Sequence, residues 1–338
     1  MRRRSVNLLA IVQSYFQDHL GSVRGASSHT VRAYGDALRL FFVFLADHVA
    51  RPVAALRVDD IRADAVLAFL NHVESKRRNA ATTRNCRLAA IRSFVDHLLR
   101  QDVTRAEQYG RILAIPTKRA RQHLVSYLEP DEARAVIAQT RVATRTLTST
   151  RDRALLLFLY NTGARVGEAL AVRSRDLHLD RPRQVRLHGK GKKERVCPIW
   201  AETATALRIL VAETDSPDEP IFRNARGAAL TRDGAAYVIA KYVRHAAESS
   251  PSLRRKKITP HVLRHSCAVA LLQAGVDVTV IRDYLGHASI ATTSRYLTTN
   301  LDMKRGVLAA FWKRAGLDRE GGRPWRASPK LIAFLESL

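Results

Sequence analysis

The apolar positions of the first hundred residues recur at three- and four-residue steps, the period of an amphipathic helix. Leu8, Leu9, Ile11, Val12, Tyr15 and Phe16 make one such face. Val31, Tyr34, Leu38, Phe41, Phe42 and Leu45 make a second, and Ser27 and Ser28 stand where an N-cap is expected. A further helix is expected from near Asp59, with Ile61, Val66, Phe69, Leu70 and Val73 inward. Another follows from about Ala80, with Leu88, Ile91, Phe94, Val95 and Leu98 inward and Arg84, Arg87 and Arg92 on its other face.

Between Ile112 and Tyr127 the period is lost. Ile115-Pro116-Thr117-Lys118-Arg119-Ala120-Arg121 holds one proline and three cations and reads as a basic linker. Helix resumes after Leu128 with Asp131 and Glu132 in its first turn, where the helix dipole favours acids. Ala154 to Tyr160 is an apolar helix segment ended by Gly163. Val185 to His188 and Arg195 to Ile199 read as short strands of a hairpin with Gly189-Lys190-Gly191-Lys192 at its tip. Helices resume near Thr203, Thr231, Thr259 and Val278. The pattern predicts a mainly α chain with a small β-sheet in its second domain. The expected divisions are a helical domain over residues 1–111, a linker over 112–127, a mixed α/β domain over 128–310 and a tail over 311–338.

Charge changes this picture. The 338 residues carry 57 Lys+Arg against 31 Asp+Glu, a formal net charge of +26. Such an excess suits a polyanion, because each cation that neutralises a phosphate releases a condensed counterion. Arg84, Arg87, Arg92, Lys118, Arg119 and Arg121 are the expected backbone contacts, although a charge run is in other proteins a solvated face. Three cysteines, odd in number, far apart and without Cys-x-x-Cys spacing, argue against a disulfide framework and for a reducing compartment. Met1-Arg2-Arg3-Arg4 resembles the start of a signal peptide, but Gln13, Ser14, Gln17 and Asp18 interrupt the apolar run. A cytoplasmic protein, nucleoid-associated when bound and with no membrane partner, is expected.

The candidate chemistry lies in the second domain. His261 and Arg264 sit three apart after Thr259 and Pro260, an N-cap and first-turn pair, so one helix start could hold an anion. Arg165 offers a planar fork for two phosphate oxygens, with Glu168 one turn on to hold it. Lys190, Lys192 and Lys193 are all placed to reach a leaving oxygen from the hairpin tip. His287 follows Gly286, and Tyr296 comes nine residues later. A phenol is a poor nucleophile unless a neighbour takes its proton or the target phosphate is well neutralised. Singly, each residue has a structural explanation: a cap, a surface ion pair, a turn lysine, a core tyrosine. Together they are what gripping and attacking a phosphodiester requires.

The joint pattern resembles the tyrosine recombinase (phage integrase) family, especially its Xer-like and transposon-borne members, from about Ser27 to Leu301. The matching segments are Ser27 to Tyr34, Thr162 to Leu170, His188 to Ile199, His261 to Ser266 and Leu285 to Tyr296. The resemblance implies a two-domain clamp, a helical core-binding domain plus a mixed α/β catalytic domain, around double-stranded DNA with inverted-repeat core sites. It places Arg165, Lys190, His261, Arg264, His287 and the nucleophile Tyr296 in the catalytic positions, with Glu168 supporting. It implies a 3′-phosphotyrosyl intermediate, exchange through a Holliday junction, and no cofactor or metal. It also implies a dimer on each site and a tetramer in the synapse, alone or with sister recombinases. Leu331, Phe334, Leu335 and Leu338 share one helical face, as in the tail helix that family members dock on a neighbouring protomer. The competing expectations are a catalytically silent DNA-binding accessory protein and a type IB topoisomerase-like relaxing enzyme.

Overall fold

The computed structural model describes residues 8–119, 126–142, 146–189 and 193–286. The chain divides into two compact units, Met1–His123 and Leu124–Leu338. Among the described residues no helix is long and apolar enough to cross a membrane.

The first unit is helical: α1 (Leu8–Ser14) running into a π-helical stretch (Tyr15–Val23), α2 (Ser28–His48), α3 (Ala63–Ser75), α4 (Ala81–Gln101) and α5 (Ala106–Leu113). Ser27 caps α2 by accepting the Thr30 amide. The expected inward faces of α2, α3 and α4 form one core, in which Phe41, Phe69, Phe94, Val66 and Ile91 are all within 1% of full burial. Burying one such side chain contributes about 1.5–3 kcal/mol, so this core gives α4 a fixed surface from which to present charge.

Two boundaries differ from expectation. α3 starts at Ala63 because Val58–Asp60 closes a separate 3-10 turn. The Asp60 carboxylate accepts from the Arg57 amide at 2.8 Å and pairs with Arg51 at 3.1 Å, while Gln108 Nε2 donates to the Val58 and Ile61 carbonyls. These local bonds compete with helix for the same backbone groups. The helical unit also reaches into the segment expected as linker: Ile112 and Ile115 belong to its core. Lys118 is fastened to it through a reciprocal pair of hydrogen bonds with Asn85 (2.8 and 3.0 Å).

The second unit is built around α7 (Leu147–Thr162), whose residues Ala154 to Leu159 are buried on every side. α6 (Pro130–Val142), α9 (Ala201–Val211) and α11 (Pro260–Gln273) pack on it, and α10 (Arg232–Ser249) covers α6. α8 (Val166–Leu170) is a short turn of helix after α7, and α12 (Val278–Leu285) packs on α11. The sheet is three antiparallel strands in the order β1 (Leu177–His178), β2 (Gln184–His188), β3 (Glu194–Pro198), with Leu187 opposite Arg195. The pattern anticipated β2 and β3; β1, two residues long, is too short to show a period. Alternation sends Val185, Leu187 and Cys197 into the core. The cysteines are free thiols, Cys86 exposed and Cys197 and Cys267 buried.

Candidate active site

The site begins where α7 ends. Gly163 is the C-cap in the left-handed region (φ 56°), which lets the chain turn sharply into α8. Arg165 is the N-cap of α8, and the Glu168 carboxylate reaches back to its amide at 3.0 Å and to its Nη1 at 2.7 Å. Glu168 is 6% exposed while the Arg165 side chain is 43% exposed, so a buried anion holds a guanidinium that opens on solvent.

α11 starts as its residues require. Thr259 accepts the Val262 amide and Pro260 occupies the first turn. His261 is exposed at that start, its ring 4.3 Å from the ring of His265 in edge-on contact. Arg264, one turn on, is 1% exposed. Its Nη1 donates to the Gly163 carbonyl at 2.6 Å and its Nη2 to the Leu285 carbonyl at 2.7 Å. The two members of the expected phosphate-gripping pair thus lie at different depths. Desolvation, then the charges of Arg264 and Arg165, holds the His261 imidazole below its ordinary pKa. It is therefore neutral at neutral pH and able to accept a proton.

α12 closes the site. It ends on Gly286, left-handed at φ 66°. Its last carbonyls meet three guanidinium groups from three other elements. Arg195 Nε donates to the Tyr284 carbonyl at 3.0 Å, Arg264 to that of Leu285, and Arg165 Nη2 to that of Gly286 at 3.4 Å. Helix C-terminal carbonyls carry partial negative charge, so cations gather there. Arg195 Nη2 also meets Glu168 Oε2 at 2.8 Å. Burial raises the Glu168 carboxyl, but the hydrogen bond and charge of Arg195, then those of Arg165, outweigh it and hold the group below the ordinary glutamate value.

The structure therefore brings Arg165, Glu168, His261 and Arg264 together. Lys190, His287 and Tyr296 lie outside the described residues, as do Arg121 and the tail face Leu331 to Leu338. Tyr284, another phenol near the site, donates its hydroxyl to the Asn161 carbonyl at 2.7 Å, and burial pushes its pKa up, which disfavours the phenolate. Sequence reasoning missed Arg195 and His265. The signal for Arg195 was available: strand alternation puts it on the same inward face as Cys197, an unusual place for a charge.

In the first unit the basic face of α4 is not uniform. Arg84 is 4% exposed and pairs with Glu74 at 3.4 Å, so it lies inside rather than on the face with its neighbours. Arg92 is half-buried and donates to the Ile115 carbonyl, fastening the end of the helical unit. Arg87 is half-buried, with no hydrogen-bond partner at Nε. Lys118 is exposed and pairs with Glu74 at 2.7 Å, and Arg119 is exposed.

Residues 126–303 match the model of the phage integrase family, and residues 13–102 match that of the phage integrase N-terminal SAM-like domain. The chain is 36% identical over 336 residues to y4rC of Sinorhizobium fredii, whose name is integrase/recombinase, covering 99% of each chain. It is 33% identical over 289 residues to the tyrosine recombinase XerC of Pelobacter propionicus, covering 85% of this chain and 90% of that one. Its fold is similar to that of the site-specific recombinase XerH bound to a palindromic difH substrate, with a TM-score of 0.69 at 21% identity over 89% of this chain and 84% of the other. The chain belongs to the phage integrase (tyrosine recombinase) family.

Proposed function

We propose that this chain cuts and rejoins duplex DNA at specific sites through a covalent tyrosyl intermediate. The supporting observation is the gathering of Arg165 and Arg264 on the last carbonyls of α12, with His261 near enough to feel both charges and His287 the next residue in the chain. In this reading the Tyr296 oxygen attacks phosphorus and the bond to the 5′-oxygen breaks, leaving a 3′-phosphotyrosyl ester and a free 5′-hydroxyl. The ester keeps the bond energy, and a 5′-hydroxyl from a second strand reverses the step. Arg165 and Arg264 offset the charge that develops on the phosphoryl oxygens. Neutral His261 accepts the phenol proton, and Lys190 protonates the leaving oxygen. The excess of cations supports a duplex partner. Exchange through a Holliday junction, by a tetramer on inverted-repeat sites of a mobile element, extends the same reading.

The test is a nicked duplex bearing the site that the chain selects from a random-sequence pool, so that cleavage traps the adduct. Wild type should give a covalent protein–DNA band, and Tyr296→Phe should bind equally and give none. An adduct in that variant would remove Tyr296 from the role. Binding without any adduct in wild type would make the chain an accessory DNA-binding protein.

A further inference from the structure

We propose that Arg195 is a positioning residue that sets the geometry of three parts of the site at once. This rests on the functional reading above and deepens it. Arg195 lies on β3 with its side chain only 13% exposed. One edge of its guanidinium meets Glu168 Oε2 at 2.8 Å, and Glu168 through its other oxygen holds Arg165 Nη1 at 2.7 Å. Its Nε donates to the Tyr284 carbonyl at 3.0 Å, next to the carbonyl that receives Arg264. Its flank lies against Gly286: a Cβ added there would come within 3.2 Å of Nη1 and 3.3 Å of Cδ.

Each contact ends on the backbone or carboxylate that orients a proposed catalytic group. Glu168 orients Arg165. The end of α12 is held by Arg264 and leads directly into His287. Arg195 itself lies five residues after Lys190 in the chain. A guanidinium can do this because its donors diverge in one rigid plane. A lysine ammonium is a single point and cannot reach Glu168 and the Tyr284 carbonyl in the same geometry. Since a shift of about 1 Å in a catalytic constellation costs about 10²-fold in rate, losing this tie should reduce the cutting step far more than DNA binding.

The experiment uses the full chain and the nicked selected duplex, with site affinity, single-turnover adduct rate and melting temperature measured for wild type, Arg195→Lys and Arg195→Ala. Both variants are expected to hold the site within about twofold and to form adduct about 10²-fold more slowly. Millimolar guanidinium should recover at least about tenfold of the rate in Arg195→Ala without moving its melting temperature, as expected if the group acts by local geometry. Full activity of Arg195→Lys, or of Arg195→Ala, would overturn the proposal. So would an Arg195→Ala protein whose affinity, rate and melting temperature fall together and do not respond to guanidinium, since the residue would then only hold the fold. No adduct in wild type would bring down the functional reading and this inference with it; an adduct in wild type together with an unimpaired Arg195→Ala brings down the inference alone.

Discussion

Glu168 is the residue on which the described part of the site turns, because it is one buried carboxylate shared by two guanidinium groups and one backbone amide. Removing one partner of a buried ion pair leaves the others uncompensated and costs about 3–5 kcal/mol. Glu168→Gln keeps the shape and removes the charge, so it should lower unfolding stability by about 3 kcal/mol at neutral pH. Because the folded carboxyl titrates below its ordinary value of 4.5, this contribution is complete above that pH. It is lost as pH falls through the depressed folded value. Denaturation of wild type and variant across pH 7 to 3 checks this: the gap should be flat near neutrality and close on acidification. A gap that widens in acid would mean the carboxyl is protonated in the native protein.

At the scale of elements, the turn between α7 and α8 couples sequence to site most tightly. Gly163 has φ 56°, and a Cβ there would overlap Leu285 Cδ2 and come within 3.2 Å of Cys267 Sγ. Its carbonyl also accepts from Arg264. Gly163→Ala therefore strains the backbone and pushes α12 away from α7 together, and should cost about 3 kcal/mol. Gly110→Ala is the control: that glycine lies within α5 with nothing within 4 Å of an added Cβ, so the change should add about 0.5–1 kcal/mol. Equal effects of the two substitutions in thermal unfolding would show that the packing of α12 tolerates a shift at Gly163.

At the scale of the whole molecule, a net charge of +26 makes salt the controlling variable for any duplex partner. The first unit separates cations that serve the fold from those available to a phosphate. Arg84 is 4% exposed and turned inward against Glu74, whereas Arg87 is only half-buried. Arg84→Ala should lower the melting temperature and leave the slope of log affinity against log salt unchanged. Arg87→Ala should leave melting unchanged and reduce that slope by about 1. A reversal of the two effects in binding titrations across salt would show that helix α4 meets DNA with a different face.

Sequence alone determined what is encoded within a turn or two of chain. Ser27 and Thr259 cap their helices, Gly163 ends α7, and the faces of α2, α3 and α4 are the faces that are buried, because capping and helical period are local interactions. It also marked Arg165, Glu168, His261 and Arg264 before any of them could be seen to meet. Tertiary structure decided the rest. It began α3 after a side-chain-closed turn, carried the first core on to Ile115, and hid Arg84. It also gathered Arg165, Arg195 and Arg264 on the last carbonyls of α12. Which carbonyl a guanidinium reaches depends on segments distant in the chain and on the packing that brings them together, and no local spacing records that.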